Sequence, residues 1–525
     1  MRKTVEIPAD TDEFETAQAF IEDLLDSAKV NREIASETLL IFEAVFGAAL
    51  MQGIGRDTTL NISAENRLGS IYLKIGYEGK RFVPPEEDSD GMSPEVKLME
   101  SYADKISYSY SSGYNIIRIS VRKSLRGYFI SCGAGFLLAL IAYAIISMFL
   151  DTYEQAELNM NYVFPLERLF ANAVIMVGVP STFFTLLKHA SDTFIVSERS
   201  AGINRLQIKA IATSAFAVLL ALGMSFLLAF ILSDLQGAYN EYAGSRSYFT
   251  FADIVADMIP QSIFEAFDSA SPIPIIVIAL LVTYALCSAG KDFEMLKAAI
   301  DACYGLFSRM FSAVIAALPV GCFLSILDAL LDGGFWSLIE VAGIVVVSLA
   351  SICVLLITYA IRLRVRGVKV GLFVKTIMPL LRENRAIGSV IDAAPYNVRY
   401  CARHFGMNRS RLQTSLPVLA QINLDGNCYT IMMVAMFIIF LSGMPVSWVN
   451  IAVIAALVLF LSFGAPNQPG AILIGLLIVI TYLGAFSLLC MAFYLEVFLG
   501  SFQNTVNVIS CIVAVAEDEP NLTYR

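Results

Sequence analysis

A polar interruption lies inside a long apolar stretch of this chain. The stretch Arg411–Thr430, RLQTSLPVLAQINLDGNCYT, carries Asn423, Asp425, Gly426 and Asn427 between apolar residues. A carboxylate at the centre of a membrane helix costs about 2.5–3.5 kcal/mol, so it is kept where it has a function. Carboxylate, amide and freed backbone carbonyl oxygens are hard ligands, and broken helices near the midplane place such ligands around small cations. The pattern therefore predicts a cation site at a broken membrane helix.

The composition indicates a polytopic membrane protein. Of 525 residues, 57% are hydrophobic, and the mean hydropathy is +0.68. We expect membrane lipid and a small-molecule solute as partners, and a multi-pass location in the plasma (inner) membrane. The net charge of −10 argues against nucleic acid as a partner. None of the nine cysteines lies in a CxxC pair, so we expect no cofactor, no tightly bound transition metal and no disulfide.

The first 124 residues differ from the rest and predict a small cytoplasmic α/β domain. Helical spacing covers residues 14–28 and 34–50, and alternation predicts strands over 59–64, 70–77, 105–110 and 115–121. The polar, acidic start of the chain is not a signal peptide.

Three segments of this head, IFEAVFGAAL, IGYEGKRFVPP and YSSGYNIIRISV, carry a family resemblance. They resemble the histidine-kinase-like ATPase fold in its anti-sigma-factor-kinase form. Glu43 and Gly79 match nucleotide-site positions of that family. Gly47 stands where the family has its metal-binding asparagine, and Tyr77 where it has its adenine-recognising aspartate. Because these two residues are missing, we expect a regulatory or interaction domain that binds no nucleotide and has a cytoplasmic regulatory protein as partner; metal-free nucleotide binding is the alternative.

Charge asymmetry gives the orientation of the membrane half. Spans are predicted over Tyr128–Leu150 and about residues 164–188 and 208–232, with an acidic loop after the first. A basic cluster directly precedes the first span: Arg118, Arg122, Lys123 and Arg126. Because positive charge stays on the cytoplasmic side, the head is expected to be cytoplasmic.

Six segments of the membrane half resemble one family in order and spacing. They are IKAIATSAFAV, ADIVADMIPQSIFEAF, LPVGCF, SLPVLAQINLDGNCY, GAPNQPGAILI and NTVNVISCIVAVAE. Together they resemble the dicarboxylate/amino acid:cation symporters, the glutamate-transporter homologues. The resemblance implies a mostly α fold over residues 125–525, with eight transmembrane helices and two re-entrant hairpins in inverted repeats. It also implies a homotrimer and an elevator-type mechanism.

The same resemblance divides the last part of the chain. It places the first hairpin at about residues 383–411, helix seven at 412–443, the second hairpin at 447–483 and helix eight at 484–516. The hairpin segments fit on local grounds, because one is too polar to span lipid and the other contains GAPNQPG.

The resemblance also implies cation ligands. One sodium site matches at Thr213, Ser214, Asn423 and Asp425, while the family's nearby tyrosine is Ala210 here. In a second site Asn507 matches, but Cys511 replaces an aspartate, so we expect that site to be weakened. The alternative is that Asn423 and Asp425 form hydrogen bonds only within a broken helix.

The substrate positions depart further from the family. They are Ser389, Asp392, Asn427, Gly464, Glu496, Gln503 and Asn504. Gly500 and Gln503 replace the aspartate and arginine of acidic-amino-acid carriers, which favours a neutral or non-acidic amino acid or related metabolite. Glu496, Gln503 and Asn507 fall within about 80° of Cys511 on one helix face. The alternative for Glu496 is a bond to a neighbouring helix.

These patterns predict a non-enzymatic secondary active transporter that couples sodium to uptake of a small organic solute. The alternative is a solute-sensing receptor that uses the transporter fold and signals through the head. An ATP-driven enzyme is disfavoured because the sequence has no P-loop pattern.

Overall fold

The computed structural model describes most of the chain outside the loops. It covers residues 4–8, 14–27, 30, 32–51, 58–67, 70–79, 82, 106–111, 114–122, 126–199, 201–231, 259–268, 272–288, 293–387, 389–441, 447–464, 470–483, 489–519 and 522–524. The chain forms two compact units, Met1–Gly127 with Pro395–Arg399, and Tyr128–Ala394 with Tyr400–Arg525.

The first unit contains an antiparallel sheet and two helices. The strands are β1 (Thr4–Pro8), β2 (Thr59–Arg67), β3 (Ser70–Glu78), β4 (Ile106–Ser111) and β5 (Tyr114–Arg122), in the order β1-β2-β3-β5-β4. The helices are α1 (Phe14–Ser27) and α2 (Arg32–Met51). Strand β1 was not predicted, because it is only five residues long; it pairs along β2 from Thr4↔Ser63 to Pro8↔Thr59.

The core of this unit lies between the sheet and the helices. Ile21, Phe42, Ile62 and Ile119 each have at most 1% of their surface exposed. Tyr77 is buried in the same core, and burial raises the pKa of its phenol to about 12. A neutral phenol in a core does not present the carboxylate that adenine recognition in the resembled fold requires.

The second unit consists of helices. They are α3 (Arg126–Phe149), α4 (Thr152–Leu158), α5 (Phe164–Arg199), α6 (Ala201–Ile231), α7 (Ile263–Asp268), α8 (Pro272–Cys287), α9 (Phe293–Ile315), α10 (Leu318–Val365), α11 (Val370–Ile387), α12 (Val390–Tyr400), α13 (Arg409–Ile422), α14 (Asp425–Leu441), α15 (Trp448–Phe463), α16 (Ala471–Leu483) and α17 (Leu489–Ala516). Five-residue π-helical turns, Asn159–Val163 and Cys401–Phe405, follow α4 and α12.

Eight helical segments among the described residues are long and apolar enough to cross a membrane. They are Tyr128–Phe149, Thr152–Asp192, Arg205–Phe230, Met295–Ile315, Leu318–Phe335, Ala342–Val365, Arg411–Phe440 and Ala492–Ala516. Gly334, near the end of the first of the two spans within α10, has a φ of +64° that interrupts the helix. The prediction of a mostly helical, multi-pass protein with eight spans is confirmed.

One helix pair precedes α13 and α14 in the chain, and another follows them. The first pair, α11 and α12, begins at Val370, whereas the predicted hairpin begins only at about residue 383 and extends to 411. The second, α15 and α16, falls on the predicted segment 447–483. Gly388, residues 252–258 and residues 465–469 lie outside the described residues. Re-entry of the pairs into a membrane stays a prediction.

The predicted helix seven is two helices. Helix α13 ends at Ile422, Asn423 leaves the helical region with φ −98° and ψ 67°, and α14 restarts at Asp425. Asp425 therefore lies in the first turn of a helix, where the dipole and unpaired backbone N–H groups favour negative charge.

Candidate functional site

Four of the predicted cation ligands lie together at this break. Thr213 Oγ1 is 2.8 Å from Asn423 Oδ1, and Ser214 Oγ donates to Asp425 Oδ1 at 2.8 Å. Asn423 and Asp425 are each 1% exposed, and Ser214 is fully buried. The contact between α6 and the break therefore places hydroxyl, amide and carboxylate oxygens around one buried point.

A fifth residue, which the sequence analysis missed, completes the surroundings of the carboxylate. The Tyr359 hydroxyl on α10 donates to Asp425 Oδ2 at 2.7 Å. The tyrosine that the resembled family has near this site corresponds to Ala210, on α6. No local pattern marks Tyr359, because it is a single tyrosine in an apolar run and reaches Asp425 only through the packing of α10 against α14.

The hydrogen-bond partners of Asp425 in the described residues are hydroxyl groups, which can both donate and accept. Thr213 Oγ1 also lies 2.8 Å from the Ala210 carbonyl, and its single hydrogen cannot serve both this oxygen and Asn423 Oδ1 fully. One carboxylate among neutral oxygens suits a monovalent cation. The described residues contain no group of three or more His, Cys, Asp or Glu side chains arranged to hold a metal ion.

An ion-pair cluster lies one helical turn beyond Tyr359. The Arg362 guanidinium is 5.6 Å from the centre of the Tyr359 ring, and its Nε lies 2.6 Å from Glu517 Oε1. Lys209 Nζ is 2.8 Å from the other oxygen of Glu517. The positive charge of Arg362 is thus paired with Glu517, while Asp425 is satisfied by hydroxyls.

Asn507, the predicted second-site ligand, contacts the start of α14 rather than Asp425. Its Oδ1 accepts from the backbone N–H of Gly426 at 2.7 Å and of Asn427 at 3.3 Å. Its Nδ2 donates to Asn427 Oδ1 at 2.7 Å. A Cβ on Gly426 would overlap the backbone carbonyl oxygen of Gln503, so glycine is what allows α17 to approach this closely. Asn507 thus caps the first turn of α14.

One turn further along α17, two side chains contact the other side of the break. Ser510 Oγ donates to the Asn423 carbonyl at 3.1 Å, and Cys511 Sγ lies 3.6 Å from the same oxygen. The thiol that replaces an aspartate of the resembled family is therefore adjacent to the non-helical residue of the break.

Two predicted substrate residues join the neutral amides at the start of α14. Gln503 Nε2 donates to Asn427 Oδ1, and both side chains are buried. Gln503 Oε1 has no hydrogen-bond partner among the described residues. Asn504, the next residue, is half-buried. The cluster offers amide groups and no basic side chain in these contacts.

Glu496 binds the second helix pair. Its Oε1 accepts from the Gly470 N–H at 2.8 Å and its Oε2 from the Leu473 N–H at 3.0 Å. The carboxylate therefore caps the start of α16, and a Cβ on Gly500 would lie 2.8 Å from Glu496 Oε1. This geometry favours the alternative interpretation, in which Glu496 bonds to a neighbouring helix.

The remaining predicted substrate positions lie elsewhere. Gly464 packs against α5, where a Cβ would lie 2.8 Å from Thr182 Cγ2. Ser389 is buried at the start of α12, and its carbonyl accepts from the Ala393 N–H at 3.1 Å. The Asp392 side chain lies outside the described part of the chain. In the head, Glu43 is exposed on α2, and Gly79 follows β3 with φ +154°.

A polytopic helical protein with a buried oxygen-lined break in its central helix has the site architecture of secondary transporters. The sequence model of the sodium:dicarboxylate symporter family matches residues 127–516. The chain belongs to this family. It is a transporter and not an enzyme.

Individual relatives are distant and match only in part. The C4-dicarboxylate transport protein of Deinococcus radiodurans is 24% identical over 58% of this chain and 71% of its own length. C4-dicarboxylate transport protein 1 of Pseudomonas aeruginosa is 24% identical over 49% of this chain and 58% of its own. The chain thus covers less than two thirds of this second relative.

Proposed function

We propose that this chain couples the entry of sodium to the uptake of a small organic solute. Sodium is expected to bind among Thr213, Ser214, Asn423 and Asp425, with Tyr359 as a further oxygen donor. The observation that carries the proposal is the fully buried carboxylate whose partners are hydroxyls that can turn their lone pairs toward a cation. Asn507, on α17, contacts the first turn of α14 and is proposed to shape the site rather than to ligate the ion directly.

An elevator-type movement would carry the site across the membrane. In support, one helix face of α17 holds the first turn of α14 through Asn507 and the first turn of α16 through Glu496. These elements would move as one body, with the two helix pairs as re-entrant hairpins, inside a homotrimer in the inner membrane.

For the substrate, we favour a neutral or non-acidic amino acid or a related metabolite. The amides of Asn427 and Gln503 offer both donors and acceptors without a balancing charge, and the contacts described there include no arginine. A guanidinium is the usual partner of a substrate carboxylate. The competing candidate is a C4-dicarboxylate, which the names of the relatives favour.

Uptake by reconstituted full-length protein tests both the sodium coupling and the choice of substrate. Proteoliposomes would be given radiolabelled succinate, aspartate or a panel of neutral amino acids, with an inward sodium gradient or with choline in its place. We expect sodium-dependent uptake of a neutral solute that is lost in Asp425→Asn and kept in Asp151→Asn, an exposed acid. Sodium-driven succinate uptake would reverse the substrate proposal, and uptake indifferent to sodium would reverse the coupling proposal.

The receptor alternative makes a different prediction in the same samples. A receptor would be stabilised by its solute, measured as a raised melting temperature, and would show no flux.

We further propose that the head is a regulatory domain of the ATPase-like fold that does not depend on nucleotide. Tyr77 fills its core where the resembled fold has an acceptor for adenine. Thermal-shift titration of the full-length protein with ATP and ADP, with and without magnesium, is expected to leave the melting temperature unchanged. Stabilisation by either nucleotide would instead favour metal-free nucleotide binding through Glu43 and Gly79.

A further inference from the structure

A pair of buried acids lies away from the break, between α5 and α10. Glu167 is fully buried and Asp328 is 7% exposed. Their carboxyl groups lie within hydrogen-bonding distance of each other. Both belong to candidate spans, Thr152–Asp192 and Leu318–Phe335. Two acids in contact at such a position require an explanation, since a single intramembrane acid is already costly.

The neighbours of this pair are neutral or acidic. Asn159, the first residue of the π-helical turn, contacts Asp328, and Ser325 contacts Glu167. Asp332, one turn along α10, lies near Asp328 and is also an acid. Among the basic side chains described in α5, Arg168 is exposed, and Lys188 forms ion pairs with Asp192 and Asp301 instead.

The hydrogen bonds are also incomplete when both acids are ionised. Neither Glu167 oxygen has a well-aligned hydrogen-bond donor within the described part of the protein, although Ser325 lies nearby, and Asn159 Oδ1 is also without a donor. An ionised carboxylate can only accept, so two of them in contact repel and cannot bond. One proton converts one acid into a donor and forms a strong O–H···O⁻ hydrogen bond to the other.

We propose that Glu167 and Asp328 bind one proton between them, as a carboxylic acid–carboxylate pair joining α5 to α10. This is a cation site distinct from the one at Asp425. A proton suits it better than sodium, because the acids already lie in direct contact and the additional oxygens are those of Asn159 and Ser325. The pair also meets the general pattern of two adjacent carboxyls of which only one ionises.

The sign of the pH dependence follows from proton counting. The folded protein holds a proton that the two separated acids would release at neutral pH in the unfolded chain. Stability falls with rising pH wherever the folded state binds more protons than the unfolded state. Raising the pH through the point at which the pair releases its proton should therefore weaken the packing of α5 against α10.

Infrared difference spectroscopy on the purified full-length protein tests this proposal. Spectra at neutral and alkaline pH, in H₂O and D₂O, report the carbonyl stretch of protonated carboxyl groups. We expect a protonated band at neutral pH that disappears at alkaline pH and that is absent in both Glu167→Gln and Asp328→Asn. Glu157→Gln, which changes an exposed acid on the neighbouring α4, should keep it.

Melting temperatures provide a second measurement. The wild type should melt at progressively lower temperature as the pH rises, while Glu167→Gln and Asp328→Asn, each left with one acid, should show a flatter profile than Glu157→Gln. If neither variant folds, the wild-type spectra still decide. Absence of any protonated carboxyl band at neutral pH, or a band unchanged by either substitution, would overturn the proposal. Loss of the band on adding sodium at constant neutral pH would replace the proton with sodium and overturn it equally.

Discussion

Two buried carboxylates lie at two helix starts in this protein, and their partners differ in kind. Asp425 begins α14 and accepts from the hydroxyls of Ser214 and Tyr359. Glu496 reaches the start of α16 from α17 and accepts from the backbone N–H groups of Gly470 and Leu473. A hydroxyl can rotate and offer a lone pair, whereas a backbone N–H can only donate.

The hydroxyl partners of Asp425 are therefore those expected of a cation ligand, whereas the N–H partners of Glu496 are those expected of a helix cap. The oxygens around Asp425 can reorganise about a cation without leaving a buried group unpaired. Removing Glu496 from its position would leave two N–H groups of α16 without acceptors, at a cost of about 1–3 kcal/mol each. The same chemical group, buried in both places, is therefore suited to binding a cation at Asp425 and to capping a helix at Glu496.

The largest expected effect is that of Asp425→Asn on sodium affinity. The substitution removes the charge but keeps the shape, and interactions with a charged group contribute about 1.5–3 kcal/mol. We expect sodium affinity to fall roughly tenfold to a hundredfold. Sodium titration followed by thermal shift measures it. Unchanged sodium affinity would show that Asp425, like Glu496, has only a structural role.

The next largest effect is expected for Gly426→Ala, which should lower the stability of the protein. The new Cβ would overlap the Gln503 backbone carbonyl, which cannot move without shifting α17. Overpacking of this kind costs about 1–3 kcal/mol. Gly223→Ala on α6 is the matched control, because nothing lies within 4 Å of a Cβ there. Equal melting temperatures for the two variants would contradict the close approach of α17 to the start of α14.

Glu496→Gln tests whether the second carboxylate is structural. The amide keeps one acceptor and places a donor against a backbone N–H, so the protein should lose about 2 kcal/mol of stability. Sodium affinity should stay within about twofold of the wild type, an energy change near 0.4 kcal/mol. Glu157→Gln is the exposed control. A large loss of sodium affinity with normal stability would assign Glu496 to binding.

Tyr359→Phe should have the smallest effect. It removes one hydroxyl from Asp425, and a hydrogen bond contributes about 0.5–1.5 kcal/mol. Tyr429→Phe is the control, because that buried hydroxyl donates to the Ser351 carbonyl at 2.9 Å and not to the carboxylate. We expect a change in sodium affinity only in Tyr359→Phe. Equal affinities in both variants would limit Tyr359 to a packing role.

Much of the architecture follows from local sequence. Runs of apolar residues predict the spans because a bilayer of fixed thickness requires them. Asn423 to Asn427 predict the break because a charged group is costly inside a membrane helix and is kept where it has a function. The strands of the head were predicted from alternation, apart from β1, whose five residues are too few to show a period.

The partners of the polar residues depended on tertiary structure. Sequence spacing placed Glu496, Gln503, Asn507 and Cys511 on one face of α17, but could not tell that Glu496 would cap α16 while Asn507 caps α14. Tyr359, 66 residues before Asp425, contacts it through helix packing that no local pattern encodes.

The sequence alone determined that this protein crosses the membrane many times and keeps an oxygen-rich break in one helix, because burial of charge and chain length leave few other choices. Only the tertiary structure decided which donors surround each carboxylate. The donors around each carboxylate depend on how neighbouring helices cross, because such crossings bring residues that are far apart in the chain into contact.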